Sequence, residues 1–486
     1  MISEDKERPF EIADLEIVWL FLIDLKGWLS DVLKAGRSIY NTELADGMII
    51  YHSPQEKAGD IGEILVKDES LKNEMHVLLE ADREVVDVEY LESQRFIRLK
   101  LKEFRMDLQG LNKQRVKVYI SIHRSGIGVL SMEVSLKGVN LNPSDIIDLE
   151  LLPKSNKSIT FHLPMELILE YSKINKEIAS ILKELPLNRH SLTIEASLDE
   201  IVWYYWSTIV NSIWKIGNEE NMLKSLRYKI FTAYPVIFIR KTLPEYETPT
   251  ELLRNYPKQI YGILTQVLRY PFDTIRLENV EEVFRRNLSE RMDISTFIAL
   301  ESTVTINSKN TWRILKTIAE ERNTTIEYEY MYDMRILLNI VELLQVQRQI
   351  LWLYDYILAS RPLESLSPRQ LAKMKEEITR AVDEFYNIKV ATQREAWKKI
   401  EYGKRVFMIA DFFNTVTGKL SLLEEAGSSL HNLRMESLGL ALTILLSVIP
   451  LIFELPELII FIAVVVVFAA YIISGILWKL RRSRKG

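Results

Sequence analysis

Leu458 to Leu477 reads LIIFIAVVVVFAAYIISGIL, 20 residues without a charge, and Ser437 to Phe453 reads SLGLALTILLSVIPLIF, 17 more. An α-helix rises about 1.5 Å per residue and the hydrocarbon layer is about 30 Å thick. The second stretch is therefore long enough to span alone. The first sits at the lower limit and needs apolar help from the preceding turn or a locally thinned bilayer. Glu454, Leu455, Pro456 and Glu457 separate them, enough only for a tight reversal. A buried soluble hairpin is the competing reading, but IIFIAVVVVFAAYII has no polar face to offer solvent.

Working outward, Lys479, Arg481, Arg482, Arg484 and Lys485 follow the second stretch, whereas the loop between the two has no basic residue. Basic flanks stay on the cytoplasmic side, so the tail and the chain before residue 437 are both expected inside. The start, MISEDKERPF, is charged, and IVWLFLI after it is too short to span, so no signal peptide is expected. The expectation is a multi-pass protein of the cell (inner or plasma) membrane with both termini cytoplasmic.

The chain has 486 residues, a formal charge of −5 and no cysteine. Disulfides, thiolate metal sites and a cysteine nucleophile are excluded. From Ser437 onward five basic residues outweigh Glu454 and Glu457 by +3, so the preceding 436 residues carry −8. Such a body gives no reason to expect nucleic acid as a partner.

That body reads as an α/β or α+β cytoplasmic domain over 1–325. Glu84 to Leu91, Arg95 to Phe104, Arg115 to Ile122 and Val129 to Leu136 alternate as strands, with a hairpin turn at His123 to Gly128. IFTAYPVIFIR, within Tyr228 to Arg240, is a further strand. Helical spacing is read at Ile12 to Leu33, Glu166 to Leu185 and Leu198 to Ile216. Beyond it, 326–436 is expected to be a stalk of long helices. One covers Tyr330 to Ser360; a second starts at Pro368, capped by Ser367, continues past Phe407 to about Thr417, and resumes after Gly418. Wholly helical, Pro368 to Phe453 would reach roughly 130 Å, a length that needs partners. Two transmembrane helices over 437–478 (437–453 and 458–477) and a basic cytoplasmic tail over 479–486 complete the layout.

The chain has no GxxxxGK[ST], GxGxxG, HExxH or GxSxG motif. The six histidines are never at metal-ligand spacing, and no enzyme is expected. WYYW (Trp203 to Trp206) and IEYEYMYDM (Ile326 to Met334) are read as packing aromatics.

Gly427 to Phe453, GSSLHNLRMESLGLALTILLSVIPLIF, places Ser428, Ser429, Asn432, Glu436, Pro450 and Phe453 in a run of the form SSxxN…E…T…P..F. Leu455-Pro456-Glu457-Leu458 follows, and the chain ends WKLRRSRK. These parts, in this order, resemble the CorA family of divalent cation (magnesium) transporters, in a divergent form. The resemblance implies a homo-oligomer, pentameric, lying in the lipid bilayer, with no tightly bound cofactor and with magnesium or another divalent cation as substrate or regulator. It departs from the family at one point: the Gly-Met-Asn signature that ends the family's first span is absent. The ring nearest the pore mouth would then come from Glu454 or Glu457, since carboxylate rings select cations in some channels. The pore-lining positions by spacing, Met435, Leu438, Leu442, Leu445, Ile449 and Ile452, are all apolar, and Thr443 and Ser447 are expected to bond the carbonyl one turn back. Metal-ligating residues are not assigned. Two alternatives to a transporter stay open: a membrane effector whose cytoplasmic domain senses a ligand or partner and alters permeability, and a non-conducting membrane scaffold.

Overall fold

The computed structural model describes residues 11–360 apart from 28, 52–61, 87–95, 109, 185–189, 219–231 and 268–274, then 394–422, with the single or paired positions 372, 376, 379, 425, 436–437, 439–440 and 443. By internal contacts the chain divides into two units, Met1–Arg361 with Glu376–Val416, and Pro362–Lys375 with Thr417–Gly486.

The first unit is built on a mixed sheet. Its strands are β1 (Glu11–Asp24), β2 (Ala45–Tyr51), β3 (Gly62–Val66), β4 (Phe96–Leu108), β5 (Leu111–His123), β6 (Ile127–Leu136), β7 (Ile159–Pro164), β8 (Ser191–Ala196), β9 (Thr232–Leu243), β10 (Ile294–Ile298) and β11 (Thr303–Asn307). The order is β10-β11-β9-β1-β6-β5-β4-β2-β3, with β7 joined to the far end of β4 and β8 joined to β7. Only β9 and β11 run parallel among these pairs. The helices are α1 (Val32–Tyr40), α2 (Lys72–Val85), α3 (Pro143–Glu150), α4 (Met165–Ser172), α5 (Lys176–Glu184), α6 (Leu198–Trp214), α7 (Pro249–Asn255), α8 (Pro257–Thr265), α9 (Leu277–Phe284), α10 (Lys309–Arg322), α11 (Ile326–Ser360) and α12 (Arg394–Val406). A mixed α/β body is thus what the chain forms.

The two faces of the sheet differ in chemistry. Leu15, Ile17, Trp19 and Phe21 of β1, with Val116, Val118 and Ile120 of β5, belong to one apolar cluster together with α1, α3, α4 and α6. On the opposite face Arg98, Lys100, Tyr119, Ser121, His123 and Glu133 are buried although polar. That face is covered by α2, whose Asp82 and Glu74 pair with Arg98 and Lys100, and by α11.

Several sequence expectations change here. Glu11–Asp24 is a strand, not the start of a helix, because β1 lies between β6 and β9 and is covered on both faces; Ile17 to Leu25 are buried at every position. A strand buried on both sides is apolar nearly throughout, so helical spacing is satisfied within it by default. Glu84 and Val85 end α2 rather than open a strand, and residues 87–91 of that expected strand lie outside the described residues. The helical reading over 166–185 is broken at 173–175.

The largest change concerns α11. Ile326–Ser360, read as the first element of a stalk, is a layer of the body, against α2, α10, α12 and strands β1 and β6. Among the described residues Ile326–Ala359 is the one helix long and apolar enough to cross a membrane. Its burial in the body instead makes it a core helix. In the second stalk helix, the chain turns at 407–408, where Met408 takes φ 55°, and residues 409–422 are again helical, through Gly418. The rest of the helix expected from Pro368 falls largely outside the described residues.

Candidate functional site

β11 places Thr303, Thr305 and Asn307 on one face and Val304 and Ile306 on the other, and all five are at most 7% exposed. Val304 and Ile306 join the apolar cluster. The polar side instead meets a cavity of about 120 Å³ lined also by α10, α11 and α12. Thr296 and Thr305, paired across β10 and β11, bring their hydroxyls within 3.4 Å of each other at its wall. The Asn307 side-chain amide has no hydrogen-bond partner among the described residues, although the residue is 93% buried by its 7% exposure. Leaving an amide donor unpaired in such a place carries a cost of about 1–3 kcal/mol.

Charge surrounds this wall in matched pairs. The Arg291 guanidinium donates from Nε and Nη2 to Asp293 (3.1 and 2.8 Å) and from Nη1 to Asp333 of α11 (3.0 Å). Burial raises the Asp333 carboxyl, and Arg291 opposes that rise. On α12, Lys399 donates to Glu395 at 2.6 Å, one helical turn apart. The Asp293 carbonyl accepts from the hydroxyls of Ser308 and Thr311 (2.9 and 2.7 Å), which fixes the start of α10 against the cavity. The lining charges Arg291, Lys399, Asp333 and Glu395 cancel. The cavity can therefore take an uncharged or zwitterionic polar molecule, with hydroxyl and amide groups on one side and ion pairs on the other.

A second feature ties α11 to the sheet. Arg98 donates to Asp82 through Nε and Nη2 (3.1 and 2.9 Å), to Ser121 (2.7 Å), to Glu342 (3.1 Å) and to Asn339 (3.2 Å). Tyr51 donates to the same Asp82 at 2.5 Å. Burial alone would push the Glu342 carboxyl up, but the Arg98 guanidinium and His123 beside it hold it at about 2. About two turns earlier on α11, Arg335 forks onto Glu133 of β6, with its second nitrogen at 2.6 Å, and lies over the Tyr119 ring. Next to it, burial followed by the Glu133 carboxylate raises Glu16 to about 7 against the pull of Arg240 and Arg335.

Tyr330 and Trp206 pack as the sequence suggests: the Arg240 guanidinium lies 4.2 Å from the Tyr330 ring centre, and the Trp206 indole donates to the Asp24 carbonyl. Among the described residues no group of three His, Asp or Glu is placed to hold a metal ion. Glu454, Glu457, Met435, Leu438, Leu442, Leu445, Ile449, Ile452 and the basic residues Lys479, Arg481, Arg482, Arg484 and Lys485 all lie outside the described residues. In that second unit Glu436, Ser437, Gly439, Leu440 and Thr443 are helical, and the Thr443 hydroxyl bonds the Gly439 carbonyl at 2.7 Å, one turn back.

None of the cavity residues stands out as a motif. The signal that could have exposed them is the TVTIN alternation, whose polar side is too regular for a strand that needs two buried faces.

Comparison with known protein-family models, with curated proteins and with solved structures finds no match for this chain.

Proposed function

We propose that this chain is a CorA-like homo-oligomeric membrane channel or transporter for divalent, magnesium-like cations. The observation that carries this reading is the pair of uncharged stretches, 17 and 20 residues long, joined by Glu454-Leu455-Pro456-Glu457 and preceded by the Ser428-Ser429…Asn432…Glu436 run. In this reading two spans cross the cell membrane with both termini cytoplasmic, and the basic tail sits at the inner headgroups. Several copies, five by the resemblance, bring the 437–453 segments around one axis, and cations enter past Glu454 and Glu457. Magnesium sheds its water reluctantly, so a ring of carboxylates at the mouth suits capture of a hydrated ion. Uptake of magnesium into proteoliposomes under an inside-negative potential is the test: uptake should occur with magnesium alone and fall when Glu454→Gln and Glu457→Gln are combined. Unchanged uptake in that double variant removes the carboxylate ring.

One observation favours a second reading, the ligand-gated effector. The polar cavity is walled by α11 and α12 together, and α12 leads along the sequence, through 409–422, to the apolar stretches. A small polar molecule held by Asn307, Thr296 and Thr305 on one side and by Lys399 on the other would fix α12 against the body. Flux that stays silent until such a molecule is supplied, and that Asn307→Leu abolishes, supports this reading; flux with magnesium alone supports the first.

A further inference from the structure

Arg105 of β4 lies directly opposite two partners at once, Arg115 of β5 and His162 of β7. His162 in turn lies opposite Thr193 of β8. Residues directly opposite in neighbouring strands share a face, so Arg115, Arg105 and His162 form a row across three strands. Like charges directly opposite each other, as Arg105 and Arg115 are, are destabilising, and of the two only Arg115 is offset by a carboxylate among the described residues, that of Glu103.

The row lines a cleft of about 450 Å³, to which the exposed Lys113 and His190 add. One carboxylate, Glu103, also lines the cleft, a second, Asp107, stands nearby, and both are already engaged. Glu103 accepts from Lys100 at 2.7 Å and from Arg115. Asp107 accepts from the backbone N–H of Lys113 at 2.7 Å and lies 3.7 Å from His162. Arg105 and Lys113 have no ion pair among the described residues.

We infer that this cleft binds a multivalent phosphate-bearing anion. Arg105, Lys113 and the Glu103-paired Arg115 converge with two imidazoles on a concave surface, and the guanidinium fork of Arg105 matches phosphate oxygens in planar, bidentate fashion. Ser191 lines the same cleft as a further hydroxyl, and the Thr193 hydroxyl holds the His162 ring at 3.0 Å from Nδ1. This site belongs to the β4–β7–β8 corner and is independent of whether the chain conducts ions.

Titration calorimetry of the full chain at low ionic strength tests the inference. One arm uses inorganic triphosphate in neutral detergent, and a second uses the same detergent doped with phosphatidic acid, which tells a soluble phosphate from a lipid headgroup. Binding in either arm should weaken about tenfold or more in Arg105→Gln. Thermal stability should hold or rise in that variant, because a cross-strand repulsion is relieved. Lys316→Gln, at an exposed position of α10, should leave binding unchanged. No binding in either arm, equal binding by Arg105→Gln, or equal weakening by Lys316→Gln would overturn the site.

Discussion

Arg98 of β4 and Glu342 of α11 meet at 3.1 Å with side chains 4% and 5% exposed, 244 residues apart in the chain. This pair, with Asp82 on the other side of the guanidinium, fastens α11, the longest helix among the described residues, to the sheet. Removing one partner leaves the others as uncompensated buried charges, which costs about 3–5 kcal/mol. Arg98→Met should therefore lower the denaturation midpoint of the body sharply in a chemical melt; an unchanged midpoint would show that the pairing contributes nothing.

Glu16 gives the body a pH dependence of unusual sign. Its carboxyl, at 4.5 in an unfolded chain, is raised to about 7 by burial and by Glu133. A carboxyl raised in the folded state holds its proton more tightly there, so its contribution to stability is fully present below about pH 4.5 and is lost as pH rises through about 7. The loss amounts to about 3 kcal/mol, from 1.36 kcal/mol per pKa unit. Glu16→Gln mimics the protonated form, and its stability should be nearly flat across that window in chemical melts at stepped pH. A variant with the wild-type slope would assign the dependence elsewhere.

Gly403 of α12 faces α11 so closely that a methyl group there would clash with Leu344 Cδ1. The clashing atom ends a flexible side chain, so Gly403→Ala is accommodated at small cost. Gly403→Val overfills the contact and should cost about 1–3 kcal/mol. Faster amide exchange confined to α11 and α12 is the expected signature, and wild-type exchange in Gly403→Val would place the tight contact elsewhere.

These relationships explain which parts of the body can be read from sequence. β5 and β6 alternate visibly because one face carries Val116, Val118 and Ile120 and the other carries Lys117, Tyr119 and Ser121. Their hairpin is legible for the same reason. β1 hides because both of its faces are covered. α11 misleads in another way: its burial is nearly all round, so its pattern fits a stalk, a membrane span or a core helix equally well. What settles its place is the set of partners for Arg335, Asn339 and Glu342, and these lie on β4, β5 and β6, about 200 residues or more away in sequence. The cavity at Asn307 was out of reach for a related reason, since its walls come from β10, β11 and three helices that only the fold brings together.

The cavity also sets a stability expectation. Arg291→Leu removes the fork that neutralises Asp293, which is 6% exposed on its side chain, and frees Asp333 of α11. A buried carboxylate stripped of its cation should destabilise the body by a few kcal/mol. Combining Arg291→Leu with Asp293→Leu should recover part of that loss in the same melt. No recovery in the double variant would show that the pair acts through something other than charge.

Conduction through the 437–453 segments requires several copies around one axis. Native mass measurement of the full chain in lipid nanodiscs reads this directly. The expected mass is that of several copies of the 56.8 kDa chain, five by the CorA resemblance. A single copy per nanodisc, persisting as the protein concentration is raised, would contradict it.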